Sequence, residues 1–409
     1  MELCLIREAV LSQNGWYADL STVVFATVFG WDFRAMNNSV NRRLWRVLLC
    51  LLLACPAAAE AFQGAPAAAD PRVGKRVLVI RHGAPLRTPD ATVSSAWLGE
   101  VFTVSLVNGE WLWIQEKGGW LWEQETVLYD GAIEELTAGV TESPTAENHH
   151  LRGVALLAHK QYRKAITDFN ESLRKAPKNS GALNNRGKAH YLLGGHPAAI
   201  ADFTQALAIE PTNVLYLNNR ALAYIETAQF SLALADLQSA LKLVPDFAEA
   251  LNNRGIVHQR LQKTNEAVAD FTAALKLNPK YVDALGNRAF AYRRSGQYEN
   301  ALADLEQAVR ISPLTYEATN DLAWLLSTCP DQRYRQPERA LQLAKAACEM
   351  TQYQQWNTLD TLAAALAESG QFAEASKWAA TAAEKAPEKE RARLQGHLEQ
   401  IVAGKQIRE

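Results

Sequence analysis

The sequence predicts a mostly α-helical protein, a right-handed solenoid of helical hairpins preceded by a small five-stranded β-barrel. Three observations support that fold class. Prolines recur at Pro177, Pro211, Pro245, Pro279 and Pro313, each 34 residues after the last, and a fixed period of that length marks stacked supersecondary units. Within each period the apolar residues fall at helical spacing in two separate runs. Ahead of the repeats, residues 75–130 alternate with period two and are dense in tryptophan, the pattern of short half-buried strands.

Taken from the front, residues 36–61 read as a secretory signal. Met36 is followed by Arg42, Arg43 and Arg46, then by the apolar run VLLCLLLAC and by PAAAEA, whose Ala59-Glu60-Ala61 end fits a small-x-small cleavage site. The run is too short to cross a bilayer comfortably. A signal this far inside the chain makes Met36 the expected start, with residues 1–35 a mis-annotated extension. Two alternatives stand beside cleavage: an uncleaved signal anchor, and lipidation of Cys55 in the imperfect lipobox Leu52-Leu53-Ala54-Cys55. The expected location is exported, periplasmic or extracellular, with a lipid anchor if Cys55 is modified. Cys4, Cys50 and Cys55 lie in this segment, and only Cys329 and Cys348 remain beyond it, which is no disulfide framework. Cys348 falls about eleven residues up a helix from the level of Cys329, ~16 Å at the helical rise. Disulfide Cα atoms lie within about 7 Å, so two free thiols are expected.

Residues 62–74 form an Ala/Pro linker. The barrel is expected over 75–130, with strands in RVLVIR, EVFTVSLV, EWLWIQ and GWLWEQ and with VLYD closing. Turn signals fall at His82-Gly83, Asn108-Gly109 and Gly118-Gly119. Trp111, Trp113, Trp120 and Trp122 alternate with Leu112, Ile114 and Leu121, so the tryptophans share one face of a hairpin. That face is either an aromatic ligand groove or the filling of a tiny core, docked on the helices beside it.

At the junction, Ala132, Ile133, Leu136, Gly139 and Pro144 repeat the spacing of Ala199, Ile200, Phe203, Ala206 and Pro211. Residues 131–145 therefore read as a half-repeat, a second helix without its first, with Asp130 placed to cap it. Seven hairpins follow over 146–389. With each closing proline numbered 32, position 8 is small (Gly153, Gly187, Ala221, Gly255, Ala289, Ala323) and position 20 is alanine (Ala165, Ala199, Ala233, Ala267, Ala301). Small residues facing each other let helix A and helix B of one unit approach closely. Phe169, Phe203, Leu237, Phe271 and Leu305 at position 24 fill the layer beside them. The proline then stops helix B at the same point each time. The sixth unit inserts a loop at 329–338, and the seventh returns to form. Residues 390–409 are a charged amphipathic capping helix and tail.

A charged pair travels with the fold. Position 7 is Arg152, Arg186, Arg220, Arg254 and Arg288, and position 23 is Asp168, Asp202, Asp236, Asp270 and Asp304. Where the arginine becomes Leu322 or Leu362, the aspartate site holds Leu343 or Trp378. Retention or loss of both together points to structural ion pairs between helix A and helix B, where removing one partner strands a charge.

These repeats resemble the tetratricopeptide repeat family. The segment GEWLWIQEKGGWLWEQETVL is similar to the end of bacterial Src-homology-three-like domains. The first resemblance implies that helix A lines a concave surface. It also implies that asparagine at position 6 binds the main chain of an extended peptide, here Asn185, Asn219, Asn253 and Asn287, with Asp321 next. The alternative is that these amides only satisfy neighbouring helices. Positions 9, 12 and 13 would add Leu222, Ile225, Ile256, Phe290 and Trp324, with Arg260, Arg293 and Arg294 towards one end. Such a groove suits an extended segment with apolar anchors and some negative charge.

With 44 acidic against 42 basic side chains, nothing calls for nucleic acid or an anionic membrane. The eight histidines are scattered, with no zinc spacing, phosphate loop or nucleophile elbow. No catalytic residue, metal, cofactor or small-molecule substrate is expected. The expected function is a non-catalytic scaffold that binds other proteins or peptides in the groove. The alternative is binding of cell-envelope glycan or peptide by the barrel, with the solenoid as a spacer.

Overall fold

The structure, a computed structural model, describes residues 70–408 apart from residues 82 and 89–91. The expected signal segment, Cys55 and most of the linker lie outside the described residues. Residues from Gly74 onward form one compact unit that holds both the strands and the helices.

Among the described residues the strands number eight, not five. They are β1 Arg76–Val79, β2 Ala84–Arg87, β3 Thr92–Ala96, β4 Val101–Thr103, β5 Leu106–Asn108, β6 Trp111–Ile114, β7 Gly119–Trp122 and β8 Thr126–Leu128. They make a three-stranded sheet in the order β4-β1-β8 and a five-stranded sheet in the order β3-β2-β7-β6-β5. EVFTVSLV is two strands because the chain changes sheets inside it. Val104 N–H donates to Lys75 O at 2.9 Å, and the next amide, Ser105 N–H, donates to Trp113 O at 3.0 Å. The hairpin β2-β3 carries little apolar alternation, and Pro85 lacks a ladder donor, so it gave no strand signal.

The core of this sheet pair is mostly aliphatic, with Val77, Val79, Leu86, Leu112, Ile114 and Leu121 packed around Phe102. The tryptophans face outward and are half-buried, with Trp111 opposite Trp122 and Trp113 opposite Trp120. The tryptophans therefore do not fill the small core. Aliphatic residues alternating with them do.

The helical part begins after a 3-10 turn over Tyr129–Gly131, with α1 Ala132–Glu142 capped at Gly131. Asp130 does not cap it but pairs with Arg76 at 3.2 Å. Seven hairpins follow, each a helix A and a helix B: α2 Ala146–Ala158 and α3 Tyr162–Lys175; α4 Ser180–Leu192 and α5 His196–Ile209; α6 Val214–Glu226 and α7 Phe230–Leu243; α8 Ala248–Arg260 and α9 Thr264–Leu277; α10 Val282–Arg294 and α11 Tyr298–Ile311; α12 Tyr316–Thr328 and α13 Pro337–Met350; α14 Trp356–Glu368 and α15 Phe372–Lys385. α16 Glu388–Val402 closes the row. None of the described helices is long and apolar enough to cross a membrane.

Inside the hairpins of repeats 1 to 5, positions 8 and 24 are matched in size. Gly153, Gly187 and Gly255 face Phe169, Phe203 and Phe271, and a Cβ on these glycines would stand 2.6, 2.7 and 2.6 Å from the ring. Repeats 3 and 5 instead pair Ala221 with Leu237 and Ala289 with Leu305. A smaller side chain on helix B leaves room for one methyl on helix A, so the gap between the helices stays constant while its filling changes.

The strands are fastened to the first hairpin. Leu78, Val127, Ala132 and Ala155 share a buried cluster with Ile80, Val101 and Ile133 beside it. Tyr129 stacks on His159 at 4.0 Å and donates to Ala158 O at 3.0 Å, with the Arg76 guanidinium 4.1 Å above its ring.

At the other end, residues Thr358–Ala367 of α14 are buried on every side, as only a helix covered all round can be. α16 supplies part of the cover: His397 Nδ1 lies 3.0 and 3.1 Å from the two oxygens of buried Asp360. The tail then returns, burying Ile407 and placing Arg408 2.7 Å from Glu368. The other Glu368 oxygen is held at 2.9 Å by Arg335 of the inserted loop in repeat 6. Cys329 and Cys348 are free thiols inside the same core, and burial pushes the Cys348 thiol up to about 11.

The size matching at positions 8 and 24 fixes the sign of one substitution. Gly to Ala inside a helix normally stabilises by up to about 1 kcal/mol. Gly255→Ala should instead destabilise by roughly 1–3 kcal/mol, because its methyl overpacks against Phe271. Gly255→Ala with Phe271→Leu, the pairing of repeats 3 and 5, should recover much of the loss. Thermal melts of the three proteins check this, and a stabilised single variant would refute it.

Candidate functional site

Successive helices A pack on one another, whereas successive helices B are farther apart, so the row of helices A forms the concave surface. Positions 2, 6, 9 and 13 lie on one stripe of each helix, since steps of four, three and four residues keep to one face. Stacking the repeats turns these stripes into lanes along the solenoid, with position 2 at the helix-A start and position 13 at its end.

The position-6 lane holds Asn185, Asn219, Asn253 and Asn287, and their amides bridge repeats. Asn219 donates to Asn184 Oδ1 at 2.9 Å, Asn253 to Asn218 Oδ1 at 2.8 Å and Asn287 to Asn252 Oδ1 at 3.0 Å. Asn185 Nδ2 lies 3.1 Å from His150 Nε2. Asn185 and Asn253 are buried, while Asn219 and Asn287 keep part of their surface in solvent. The position-5 partners were overlooked in the sequence. The signal was the doublet Asn-Asn, written three times at the repeat period.

This amide row breaks between repeats 5 and 6, where position 5 is Gly286 and position 6 is Asp321: one has no acceptor and the other no N–H to give. Asn320 follows with a buried Oδ1 that has no partner among the described residues. Asp321 is exposed, with Arg293, Asn320 and Glu317 as its neighbours.

The position-9 lane is the floor. Leu222 and Ile256 are half-buried, Phe290 is 41% exposed, and the Arg293 guanidinium sits 5.2 Å from the Phe290 ring. Ile225 does not line the surface, because it is buried in the core. Both ends of this lane are covered. Val154, its first member, is buried under the turn before β4: Leu98 packs on it, and a Cβ on Gly99 would stand 3.1 Å from its Cγ1. Gly99 also holds a φ of +89°, so both space and backbone demand glycine there. Ala364 of repeat 7, the last member, is buried, and Trp324 before it is half-buried with His397 of α16 at 5.7 Å between ring centroids. Between these ends Lys188 is exposed to solvent, with Glu100 as a charged neighbour.

Charge flanks the floor in repeats 4 and 5. Glu249 and Asp283 occupy position 2, and Arg260 and Arg294 occupy position 13. All four are exposed, and none forms an ion pair with another described residue.

The arginines at position 7 belong to the framework instead. Arg152, Arg186, Arg220, Arg254 and Arg288 each place Nε and Nη2 on the two oxygens of Asp168, Asp202, Asp236, Asp270 and Asp304, at 2.6–2.9 Å. Three also reach the preceding helix B: Arg186 to Asn170 at 2.8 Å, Arg220 to Thr204 at 3.2 Å and Arg288 to Thr272 at 3.0 Å. Each such guanidinium therefore ties three helices together.

On the barrel, Trp113 and Trp120 meet edge to face at 5.2 Å. Trp122 Nε1–H donates to Glu110 at 3.2 Å, and Arg87 stands 5.9 Å over Trp111. Among the described residues no group of three or more His, Cys, Asp or Glu could hold a metal ion.

Three family models, each described as tetratricopeptide repeat, match residues 150–214, 248–281 and 271–303. No curated protein matches the chain. Among solved structures, the Cut9-Hcn1 hetero-tetramer of APC/C is similar, at 21% identity and a TM-score of 0.51, over 58% of this chain and 47% of that one. A tetratricopeptide repeat protein from Parabacteroides merdae covers 66% of this chain and 99% of its own, at 20% identity and a TM-score of 0.45. YrrB, described as a TPR protein with an unusual peptide-binding site, covers 46% and 97%, at 23% identity and a TM-score of 0.37. The family matches support a protein-interaction scaffold in general, and the first structure shows the solenoid fold.

The geometry of the ion pairs also predicts a rescue. Arg220→Ala should cost roughly 1–4 kcal/mol, since it strands buried Asp236. Leucine at both Arg220 and Asp236, as at Leu322 and Leu343, should recover much of that. Denaturant melts decide it: a double variant no better than the single would mean the pair is not the coupled unit.

Proposed function

The helical hairpins of this chain are tetratricopeptide repeats, and from that premise we propose that it is a non-catalytic scaffold holding segments of other proteins on the concave surface of repeats 2 to 5. The observation that carries this reading is the apolar floor of Leu222, Ile256 and Phe290, left open to solvent between two covered ends. Apolar side chains at matching positions of successive repeats, ringed by polar residues, are what a partner segment would bury. An extended segment would take its main-chain contacts from Asn219 and Asn287, whose amides are the two of the four that reach solvent. Arg260, Arg293 and Arg294 would favour negative charge towards one side.

The half-buried tryptophan face of the barrel supports a second reading, in which cell-envelope glycan or peptide is gripped there and the solenoid is mainly a spacer. Aromatic faces with polar groups at their margins suit either ligand. In both readings the protein is exported by its residue 36–61 signal.

The two readings separate in one experiment on the full chain. Proteins co-purifying with the wild type are identified by mass spectrometry and compared with those retained by two variants. Ile256→Asp with Phe290→Asp should lose the partner while the protein stays folded, with some fall in melting temperature because half-buried Ile256 also packs against the core. Trp111→Ala with Trp122→Ala should keep it. The opposite pattern would overturn the scaffold reading in favour of the barrel.

A further inference from the structure

The helices B form the outer layer of the solenoid, and the side of each that faces away from helix A stands in water. Such a face normally carries charge. α3 exposes Arg163, Lys164, Arg174 and Lys175, and α9 exposes Glu266 and Lys276. The two helices between them break the rule. α5 exposes no charged side chain, and α7 exposes only Lys242. Their remaining carboxylates, Asp202 and Asp236, are buried against Arg186 and Arg220. Depletion of charge, more than apolar content, is what sets the centre of a protein interface apart from ordinary surface.

The same face is apolar at both ends. Pro197 and Leu232 stand at the hairpin-turn end, and Ile209 and Leu243 at the other, with Leu232 47% and Leu243 48% exposed. Between them the exposed residues are uncharged apart from Lys242 near the far end, with Ala201 and Ala235 at the centre. Read from either end, the order is apolar, small, apolar. A two-fold axis lying in the face therefore sets apolar ends on apolar ends and the small centre on itself, whether it runs along the helices or across them. That self-match is what an isologous contact requires. A foreign partner is selected largely by charge, and this face offers it almost none. Its own copy meets it without repulsion.

The size of the face sets the strength of the contact. Each helix is ~21 Å long and about 10–12 Å across with its side chains, so the pair presents roughly 400–500 Å2 in plan. Two copies would cover close to the ~1,000 Å2 at which specific interfaces begin. We propose that the outer faces of α5 and α7 join two copies of this chain in a weak symmetric dimer, rimmed by the charged faces of α3 and α9. The two concave surfaces then look away from each other and stay open, so the dimer presents both at once. This inference is independent of what those surfaces hold.

Sedimentation velocity of the full chain between about 1 and about 200 µM should show the mass of one chain passing to that of two. Ala201→Glu with Ala235→Glu sets like charges against each other and should weaken pairing at least about tenfold. Its helical circular dichroism should not change, because both side chains are exposed. Ala201→Lys with Ala235→Lys should behave in the same way. Mixing the two variants should restore the two-chain mass, since glutamate then meets lysine across the contact. A wild type that keeps the mass of one chain throughout would overturn the proposal. A dimer that both variants leave intact would overturn it too, by placing the contact elsewhere. So would a mixture that stays dissociated, because the substitutions would then act through the fold. All three results leave Ile256 and Phe290 untouched, so the scaffold reading is tested separately.

Discussion

The solenoid depends on one contact, the approach of the helix-A backbone at position 8 to the side chain at position 24 of helix B. That contact sets the gap inside each of the first five hairpins, whereas in repeats 6 and 7 alanine stands at both positions, Ala323 with Ala344 and Ala363 with Ala379. Glycine against phenylalanine and alanine against leucine fill it equally. A constant gap keeps every arginine at position 7 within reach of its aspartate in the same bidentate geometry, in all five copies that have the pair. It also presents the same stripe of each helix A to the concave side. Without that register the asparagines would not meet the amides of the preceding repeat, and the lanes of charge and apolar surface would not align.

The ends of the row are handled differently. At the front, the turn before β4 lays Leu98 and Gly99 over Val154, so the sheets are seated on the first hairpin and also close the groove there. At the back, α16 acts as one more helix A: His397 meets Asp360 where a position-6 residue would meet position 5. The insertion in repeat 6 has a matching role. Its Arg335 shares Glu368 with Arg408 of the tail, so the loop that breaks the repeat also anchors the last residues.

The helical part was legible because its signals are periodic. Proline spacing, alanine at position 20 and the linked loss of arginine and aspartate at Leu322 and Leu343 can each be checked within one chain. The strands were only partly legible. β2 and β3 have a proline and small polar residues where alternation should be, and a change of sheet at Val104-Ser105 leaves no mark on a run that reads EVFTVSLV. The tryptophans misled about the core because bulk suggests burial, whereas the leucines between them do the filling. At the concave face the second asparagine of each doublet was visible as a position but not as a donor. Its role depends on the first asparagine of the preceding repeat, a neighbour that only stacking reveals.

The break in the amide row has a consequence for how the molecule comes apart. Linear arrays gain cooperativity through their nearest-neighbour interfaces. The amide bridge is missing where Gly286 faces Asp321, and helix B of repeat 5 makes the sparsest of the contacts with a following helix A. Apolar packing carries that interface instead: Ala289, Ala301 and Leu305 of repeat 5 share one buried cluster with repeats 6 and 7, and Arg339 of repeat 6 reaches Glu306 of repeat 5 at 2.8 Å. Repeats 5 to 7 with α16 and the tail should therefore open as one block. Native-state hydrogen exchange should give them a single protection isotherm, and a division at residues 312–316 would show them uncoupled.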